Sequence, residues 1–186
     1  MDSHLTLIGS IVIGGIFLLS LLGFQSDLRE HSFNNTNDLI LQQNALAITE
    51  LLEADLRQIG LGVDSLAVIT SAGEQSLSYY ADLGANGSID LVTYSLSNPG
   101  MASDTPNPRD RILYRIINGT KQVNAAMGVT DFRFKYFDRN GEPTTNAAAI
   151  RTIELTLEME STAPYGKKYA HFFWRKKMTP PNLLRP

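Results

Sequence analysis

The chain has 186 residues, a length that favours one domain, and its 43% hydrophobic and 19% charged residues are typical of a folding chain. A formal net charge of −3 argues against a globally basic nucleic-acid-binding protein, so no nucleic-acid partner is expected. The absence of cysteine excludes a disulfide scaffold, a thiolate zinc site and a cysteine nucleophile.

Residues 5–24, LTLIGSIVIGGIFLLSLLGF, form an apolar run without a single charge. As a helix this run would span about 30 Å, the hydrocarbon thickness of a bilayer. Only Met1, Asp2, Ser3 and His4 precede it, so the positive segment typical of a cleaved signal peptide is missing. We therefore predict a retained transmembrane helix; the alternative is a buried core helix of a soluble protein.

The charges that flank this run do not fix its orientation, because neither side carries an excess of Lys or Arg. The very short N-terminal flank favours a cytoplasmic stub with the folded mass outside. Gly14 and Gly15 would let another helix approach closely, and this predicts a contact face on the membrane helix.

After a polar, turn-prone segment at residues 32–37, helical periodicity resumes. The apolar positions recur at spacings of three and four residues, which predicts an amphipathic helix with one apolar face. These positions are Ala45, Ile48, Leu52, Leu56 and Ile59. Gly60 and Gly62 then supply a stop signal. The apolar face is expected to cover the core, the alternative being a partner's groove.

Beyond Gly62 the period changes from 3.6 to 2, which predicts short β-strands bounded by Gly, Asn, Pro and Asp. The predicted strands cover residues 76–80, 91–96, 111–117, 132–136, 153–159 and 169–174. Residues 138–141, DRNG, predict a turn between two of them. Helices first and antiparallel strands afterwards indicate an α+β protein.

Two loops and one strand face carry polar groups that call for interpretation. The proline-rich residues 97–110 predict an exposed loop. Glu154, Glu158 and Glu160 share a strand face, which we interpret as solvated.

Asp82, Asn86 and Asp90 occupy the first, fifth and ninth places of a segment that resembles a calcium loop, although Gly84 removes one ligand. A weak calcium site is one prediction there, and a plain β-turn is the other.

The C-terminal end is basic, because after Glu160 the chain has six basic residues and no acidic one. Trp174, Arg175, Lys176 and Lys177 predict an aromatic and cationic surface that faces a partner or the membrane or, alternatively, an edge strand protected by charge. We divide the chain into a transmembrane helix with its flanks (1–30), an amphipathic helix (31–62), a β-rich domain (63–178) and a proline-rich tail (179–186).

This order of elements resembles the type IV pilin and type II secretion pseudopilin superfamily. Residues 5–9, LTLIG, are similar to the Phe-Thr-Leu-Ile-Glu-like segment with which such proteins open. Residues 52–60, LEADLRQIG, resemble the helix end of the large minor pilins and minor pseudopilins. Residues 82–96 and 128–132 are also similar to segments of the minor pilins.

The resemblance implies a pilin-like fold, a long N-terminal helix packed on an antiparallel sheet. It also implies a single-pass protein of the inner membrane with an extracytoplasmic domain. Its partners would be the membrane and other pilin or pseudopilin subunits in a filament or secretion machine. Assembly would use the start of the apolar run and its glycines: Leu5, Thr6, Leu7, Ile8, Gly9, Gly14 and Gly15.

Two positions depart from the family's pattern. His4 stands where the processing peptidase normally requires glycine, and Gly9 replaces the acidic residue that pairs with a neighbour's N-terminus. Loss of a charge pair in a low-dielectric membrane weakens repeated stacking. We therefore expect poor processing, an intact Met1 end, and a low-copy subunit at a filament tip or retained in the membrane. The open alternatives are an unprocessed anchored relative and a chain that has already been processed.

Sequence motifs for catalysis are missing: there is no nucleophile elbow, phosphate loop or dinucleotide fingerprint. The expectation is a structural protein without catalytic residues or cofactors. A stand-alone membrane-anchored binding module on a pilin scaffold is the second hypothesis, and a membrane-tethered hydrolase the third.

Overall fold

A computed structural model describes residues 2–64, 67–123, 128–166 and 168–184. One long helix is followed by eight strands, which confirms the predicted α+β class. The elements are α1 (Asp2–Gln58), β1 (Ile69–Ala72), β2 (Ser76–Ala81), β3 (Asp90–Leu96), β4 (Leu113–Ile117), β5 (Thr120–Val123), β6 (Val129–Phe137), β7 (Thr152–Glu160) and β8 (His171–Met178). Two short 3-10 helices, Ala147–Ala149 and Pro181–Leu184, complete the described elements.

The expected long N-terminal helix is confirmed: α1 is a continuous helix of 57 residues and runs through the polar, turn-prone segment at residues 32–37. Ser and Asn cost only a few tenths of a kcal/mol each in a helix. Extending an existing helix avoids the cost of a new nucleus, so two strong helical segments can carry a polar stretch between them. The Thr36 hydroxyl also donates to the Ser32 carbonyl oxygen at 2.9 Å, within the helix itself.

The chain divides into two compact units, Met1–Asp38 and Leu39–Pro186. The second unit joins the last part of α1 to all eight strands, so the amphipathic helix and the β-rich domain that we separated at residue 62 belong together.

Gly60 ends the helix, close to the predicted stop. Its φ of 76° lies in the left-handed region, which a side chain disfavours. Its amide donates to the Tyr80 carbonyl oxygen at 2.9 Å, so the turn is fixed directly to β2. A Cβ at this position would lie 3.0 Å from Cγ1 of Val68. Glycine therefore provides both the backbone angle and the space that the turn requires.

The strands form two antiparallel sheets, where the sequence predicted one. The first has the order β1-β2-β3-β4-β5 and the second β6-β7-β8. Strands β1 and β5 escaped prediction because each has only four residues, and β8 begins two residues later than expected. The turn predicted at residues 138–141 is present, with the Gly141 amide donating to the Asp138 carbonyl oxygen at 3.2 Å. The connection from β6 to β7 nevertheless continues to residue 151.

Hydrogen bonds from β6 join the two sheets. The Phe134 amide donates to the Glu74 carbonyl oxygen at 2.7 Å, and the Tyr136 hydroxyl donates to the Gly73 carbonyl oxygen at 2.8 Å. The turn between β1 and β2 is therefore held against the second sheet.

The helical face predicted from the sequence forms one side of the core. Its five apolar residues, from Ala45 to Ile59, are at most 3% exposed. They belong to a single apolar cluster with the inward residues of both sheets, which include Leu77 and Tyr94 of the first sheet and Phe132 and Leu157 of the second. The prediction that this face covers the core is confirmed.

One charged residue, Asp55, lies on the buried face of the helix. Its carboxylate accepts two hydrogen bonds from Arg115 of β4, at 2.6 Å from Nε and 2.9 Å from Nη2. The Tyr94 hydroxyl donates to the same carboxylate at 2.6 Å, and the Tyr79 hydroxyl donates to the Asp55 carbonyl oxygen at 3.3 Å. Burial and the Asp55 charge raise the pKa of Tyr94, so this residue remains a neutral donor. The carboxylate is fully paired, which a buried charge requires.

Replacement of Asp55 by alanine is expected to destabilise the protein by about 3 to 5 kcal/mol, because Arg115 would be left buried without its partner. Urea unfolding of the full chain in detergent, followed by circular dichroism, measures this change. Glu53→Ala is the control: its ion pairs with Arg57 and Lys176 lie near the surface, so the loss should stay below about 1 kcal/mol. Equal effects of the two substitutions would contradict the role given to Asp55.

Candidate assembly and ligand-binding surfaces

The start of α1 carries an uncovered apolar surface. Within the described residues, α1 is the one helix that is long and apolar enough to cross a membrane. Leu7 and Ile8 are each 60% exposed, and Ile13 and Phe17 reach 70%. The side chains of Leu5 and Thr6, which we assigned to assembly, lie outside the described part of the structure.

No described residue packs against the glycines of this segment. A Cβ added at Gly9, Gly14 or Gly15 would meet no atom within 4 Å. The backbone at these positions is therefore open to another helix, and a contact face at Gly14 and Gly15 stays a prediction. Small residues at a helix surface permit close backbone approach in a membrane.

A groove of about 640 Å³ runs between α1 and the edge strand β8 in the second unit. The helix contributes Leu46, which is 59% exposed, and strand β8 contributes Phe172 and Trp174. The remaining lining residues come from α1: Gln42, Thr49, Glu50, Glu53, Ala54 and Arg57. The groove thus combines an apolar floor with charged walls, which is suited to binding another polypeptide segment.

Strand alternation divides the four residues predicted as a partner surface between two faces. Trp174 lines the groove, and Lys176 lies on the same face with its Nζ 3.3 Å from Oε1 of Glu53. Arg175 and Lys177 point to the other face. There the Arg175 guanidinium lies 5.4 Å from the ring centre of Phe173, and the Lys177 ammonium lies 3.7 Å from that of Phe137. A partner that binds one face of β8 would therefore contact either Trp174 and Lys176 or Arg175 and Lys177.

The edge-strand interpretation of the same residues agrees with their position, because β8 ends the order of the second sheet. Charged side chains on an edge strand hinder pairing with another chain. Phe173, which is 49% exposed, alternates with these charges. A partner surface on β8 stays a prediction.

In the loop predicted to bind calcium, the Asp82 carboxylate accepts hydrogen bonds from the backbone. Its Oδ1 accepts from the Asn86 amide at 3.1 Å and its Oδ2 accepts from the Gly87 amide at 2.8 Å. Asn86 Oδ1 accepts from the Ser88 amide at 2.8 Å, and Asp90 Oδ1 accepts from Asn118 Nδ2 at 2.7 Å. These contacts are those of a polar turn, and a calcium ion would have to compete with them. Calcium binding at this loop stays a prediction.

The loop of residues 97–110 is more buried than the sequence suggested. Asn107 and Asp110 are each 1% exposed, although an exposed loop was expected. Asn107 Nδ2 donates to Oε2 of Glu160 at 2.9 Å, and Nη2 of Arg109 lies 2.8 Å from the same oxygen. Glu160 is 7% exposed, so the solvated role given to it is wrong. Its position at the end of β7, beneath this loop, is the reason.

The periodicity of the sequence gave no signal for this cluster, because Asn107 and Glu160 lie 53 residues apart in the chain. Gly128 permits the arrangement: its φ is 84°, and a Cβ there would collide with the Glu160 carbonyl oxygen. A glycine at the start of a strand was the one available hint.

No group of three or more His, Asp or Glu side chains that could hold a metal ion is found in the described ranges. Three comparisons with known proteins were also made: no protein-family model, no curated protein and no solved structure matches the chain. The function has to be argued from these surfaces.

Replacement of Asp82 by alanine is expected to destabilise the protein by about 1 to 3 kcal/mol, because two backbone amides lose their acceptor. Urea unfolding of the full chain in detergent with excess EDTA measures the loss. Asp104→Ala is the matched control, since Asp104 is exposed in another loop, and it should change stability by less than about 0.5 kcal/mol. A loss that is seen only with calcium present would instead support the calcium prediction for this loop.

Proposed function

We propose that the protein is a membrane-anchored structural subunit of the pilin or pseudopilin type, which assembles with other subunits through its N-terminal helix. The observation that carries the proposal is the length of α1. One helix includes both an exposed, uncharged segment of bilayer length and a segment whose apolar face completes the core of an antiparallel β-protein. A membrane anchor alone would not require that the membrane segment and the core-forming segment belong to one continuous helix.

The exposed segment supports anchoring and assembly through the same chemistry. Burial of apolar surface is worth about 25 cal/mol per Å², so residues 7–24 strongly favour leaving water. Either lipid or the helices of similar subunits would cover them. In this proposal, the domain lies on the outer side of the inner membrane, and the helix passes from the bilayer into a filament or secretion machine.

Helix contacts would use the glycine positions. Gly14 and Gly15 are open to a neighbouring helix, and van der Waals packing at small residues drives helix association in lipid. Gly9 contributes no charge where the family's acidic residue would pair with a neighbour's amine. A subunit of this kind suits a low-copy position, such as a tip, better than a repeating one.

The groove beside β8 supports a second contact, made by the globular unit. Its apolar residues Leu46 and Trp174 lie next to the Glu53–Lys176 ion pair, so a partner would meet both apolar and charged groups. Such a surface can set which subunit docks, while the helix provides most of the affinity.

The alternative function, a stand-alone membrane-anchored binding module, rests on the same groove. Cell fractionation separates the two. A filament or secretion-complex subunit is recovered with sheared filaments or with the purified complex, at a few copies each, whereas a stand-alone module remains in the membrane fraction alone. Mass spectrometry of the mature N-terminus reports whether the chain is processed, and a methylated Leu5 at high copy number would contradict the low-copy position.

Leucine at both Gly14 and Gly15 is expected to lower co-purification with partner subunits by about tenfold, since bulky side chains prevent close helix approach at a cost of roughly 1 to 2 kcal/mol. Quantitative mass spectrometry of partners cross-linked in the membrane measures this.

Ile13→Leu with Val12→Leu is the matched control, because it changes neighbouring apolar residues and leaves the glycines in place. Membrane insertion should be the same for both variants, as judged by resistance to alkaline extraction. Undiminished cross-linking of the glycine variant would contradict a helix contact at these positions.

A further inference from the structure

The loop of residues 97–110 encloses a carboxylate that has no partner. Asp110 is 1% exposed, and neither of its carboxylate oxygens has a hydrogen-bond partner among the residues that the structure describes. A buried carboxylate that lacks close hydrogen-bond donors is unfavourable, so a proton or a cation at this site would stabilise it.

Further oxygen atoms lie in the same loop, within five residues of Asp110 along the turn that Thr105 and Asn107 form with it. The Thr105 hydroxyl oxygen lies 3.4 Å from the carbonyl oxygen of Ala102 and 3.5 Å from that of Asn107. The Asp110 amide donates to the Asn107 carbonyl oxygen at 3.1 Å, which places Asp110 in the same turn. Burial raises the pKa of Asp110, and the nearby Thr105 hydroxyl opposes this rise.

The spacing of these oxygens is compatible with a shared metal ion. An O–H···O hydrogen bond is normally about 2.5–3.0 Å long, so both contacts of Thr105 are stretched. Two oxygen ligands at right angles around a calcium ion, each about 2.4 Å from it, are about 3.4 Å apart. The separations within the loop therefore match those of neighbouring ligands in a calcium shell.

We propose that this loop binds a calcium ion through the carboxylate of Asp110, the hydroxyl of Thr105 and the backbone carbonyl oxygens of Ala102 and Asn107. These are hard oxygen ligands of the mixed kind that calcium accepts, and water completes a shell of six to eight. Thr105 is half-buried, and its neighbours Asp104 and Pro106 are exposed. An ion could therefore reach the site from solvent.

Glu160 supports the site without being a ligand. Its Oε2 is held by Asn107 and Arg109, so it fixes the turn that presents the Asn107 carbonyl oxygen. With a single carboxylate ligand, the expected Kd is about 0.1 to 1 mM, the range of extracellular calcium modules. This proposal does not depend on an assembly role for the protein.

The loop is held in place by contacts that need no metal. The Arg111 amide donates to the Val129 carbonyl oxygen at 2.7 Å, and the Ser97 amide donates to the Ile112 carbonyl oxygen at 2.8 Å. The calcium ion would therefore fill an ordered site, and removal of its ligands should leave the fold intact.

The test is calorimetric titration of the EDTA-stripped full chain in detergent with calcium chloride up to about 10 mM, ten times the weakest expected Kd. Binding at one site and a calcium-dependent rise in Tm are expected, because a ligand that binds only the folded state stabilises it. Magnesium should bind at least several-fold more weakly, since it demands a regular octahedral shell.

Asp110→Asn should weaken calcium binding by at least about tenfold, and Thr105→Val, which keeps the side-chain shape, by several-fold. Without calcium, the Tm of Asp110→Asn should be no lower than that of the wild type, because a buried charge has been removed. Asp104→Asn in the same loop and Asp82→Asn in the other candidate loop are the matched controls, and both should retain binding.

Four results would overturn the proposal: no heat and no Tm shift with calcium, unchanged binding in both Asp110→Asn and Thr105→Val, equal affinity for magnesium, or loss of binding in Asp82→Asn alone. Should Asp110→Asn fail to fold, Thr105→Val with its unchanged shape still decides the matter.

Discussion

The pairing of Asp55 with Arg115 determines how the helix lies on the first sheet. A carboxylate on the apolar face of a helix can be buried only where donors meet it, and Arg115 and Tyr94 supply three hydrogen bonds to it. Arg115 in turn donates to Gln122 of β5 at 2.6 Å. The helix therefore cannot slide along the sheet by one turn without leaving two charges unpaired in the core. Apolar packing alone would tolerate such a shift far better.

On the other side of the helix, packing is less complete. Strand β8 is the edge of the second sheet, and its inward residues Phe172 and Trp174 line an open groove beside α1. Trp174 continues a row that begins with Phe132 and passes through Leu157, so it is fixed from one side by the sheet. The result is a rigid aromatic surface beside exposed Leu46. Rigid aromatic groups of this kind lose little conformational entropy when a partner binds.

The helical and strand periods of the sequence predicted the core of this structure well, and its polar interior poorly. The face from Ala45 to Ile59 and the alternation of β6 and β7 each follow from one local pattern, so they were found. The continuity of α1 through residues 32–37 depends on the flanking helical segments, which outweigh a weak local preference. Burial of Asn107, Asp110 and Glu160 depends on a loop that folds over the end of β7. Neither helical nor strand periodicity in the sequence predicts that contact. Likewise, strand alternation placed Glu160 with Glu154 and Glu158 but said nothing of what covers it.

The order of the strands has a consequence for how the chain folds. In both sheets every strand pairs with its neighbour in sequence, so each pairing is local and costs less chain entropy than a pairing between distant strands. Contacts of this kind form quickly, whereas Asp55 and Arg115 are 60 residues apart and must wait for the sheet that carries Arg115. The meanders can therefore organise first and the helix can dock on them last. Until it docks, its apolar face from Ala45 to Ile59 stays uncovered, so in that interval the folding chain exposes the surface with which it is most prone to aggregate.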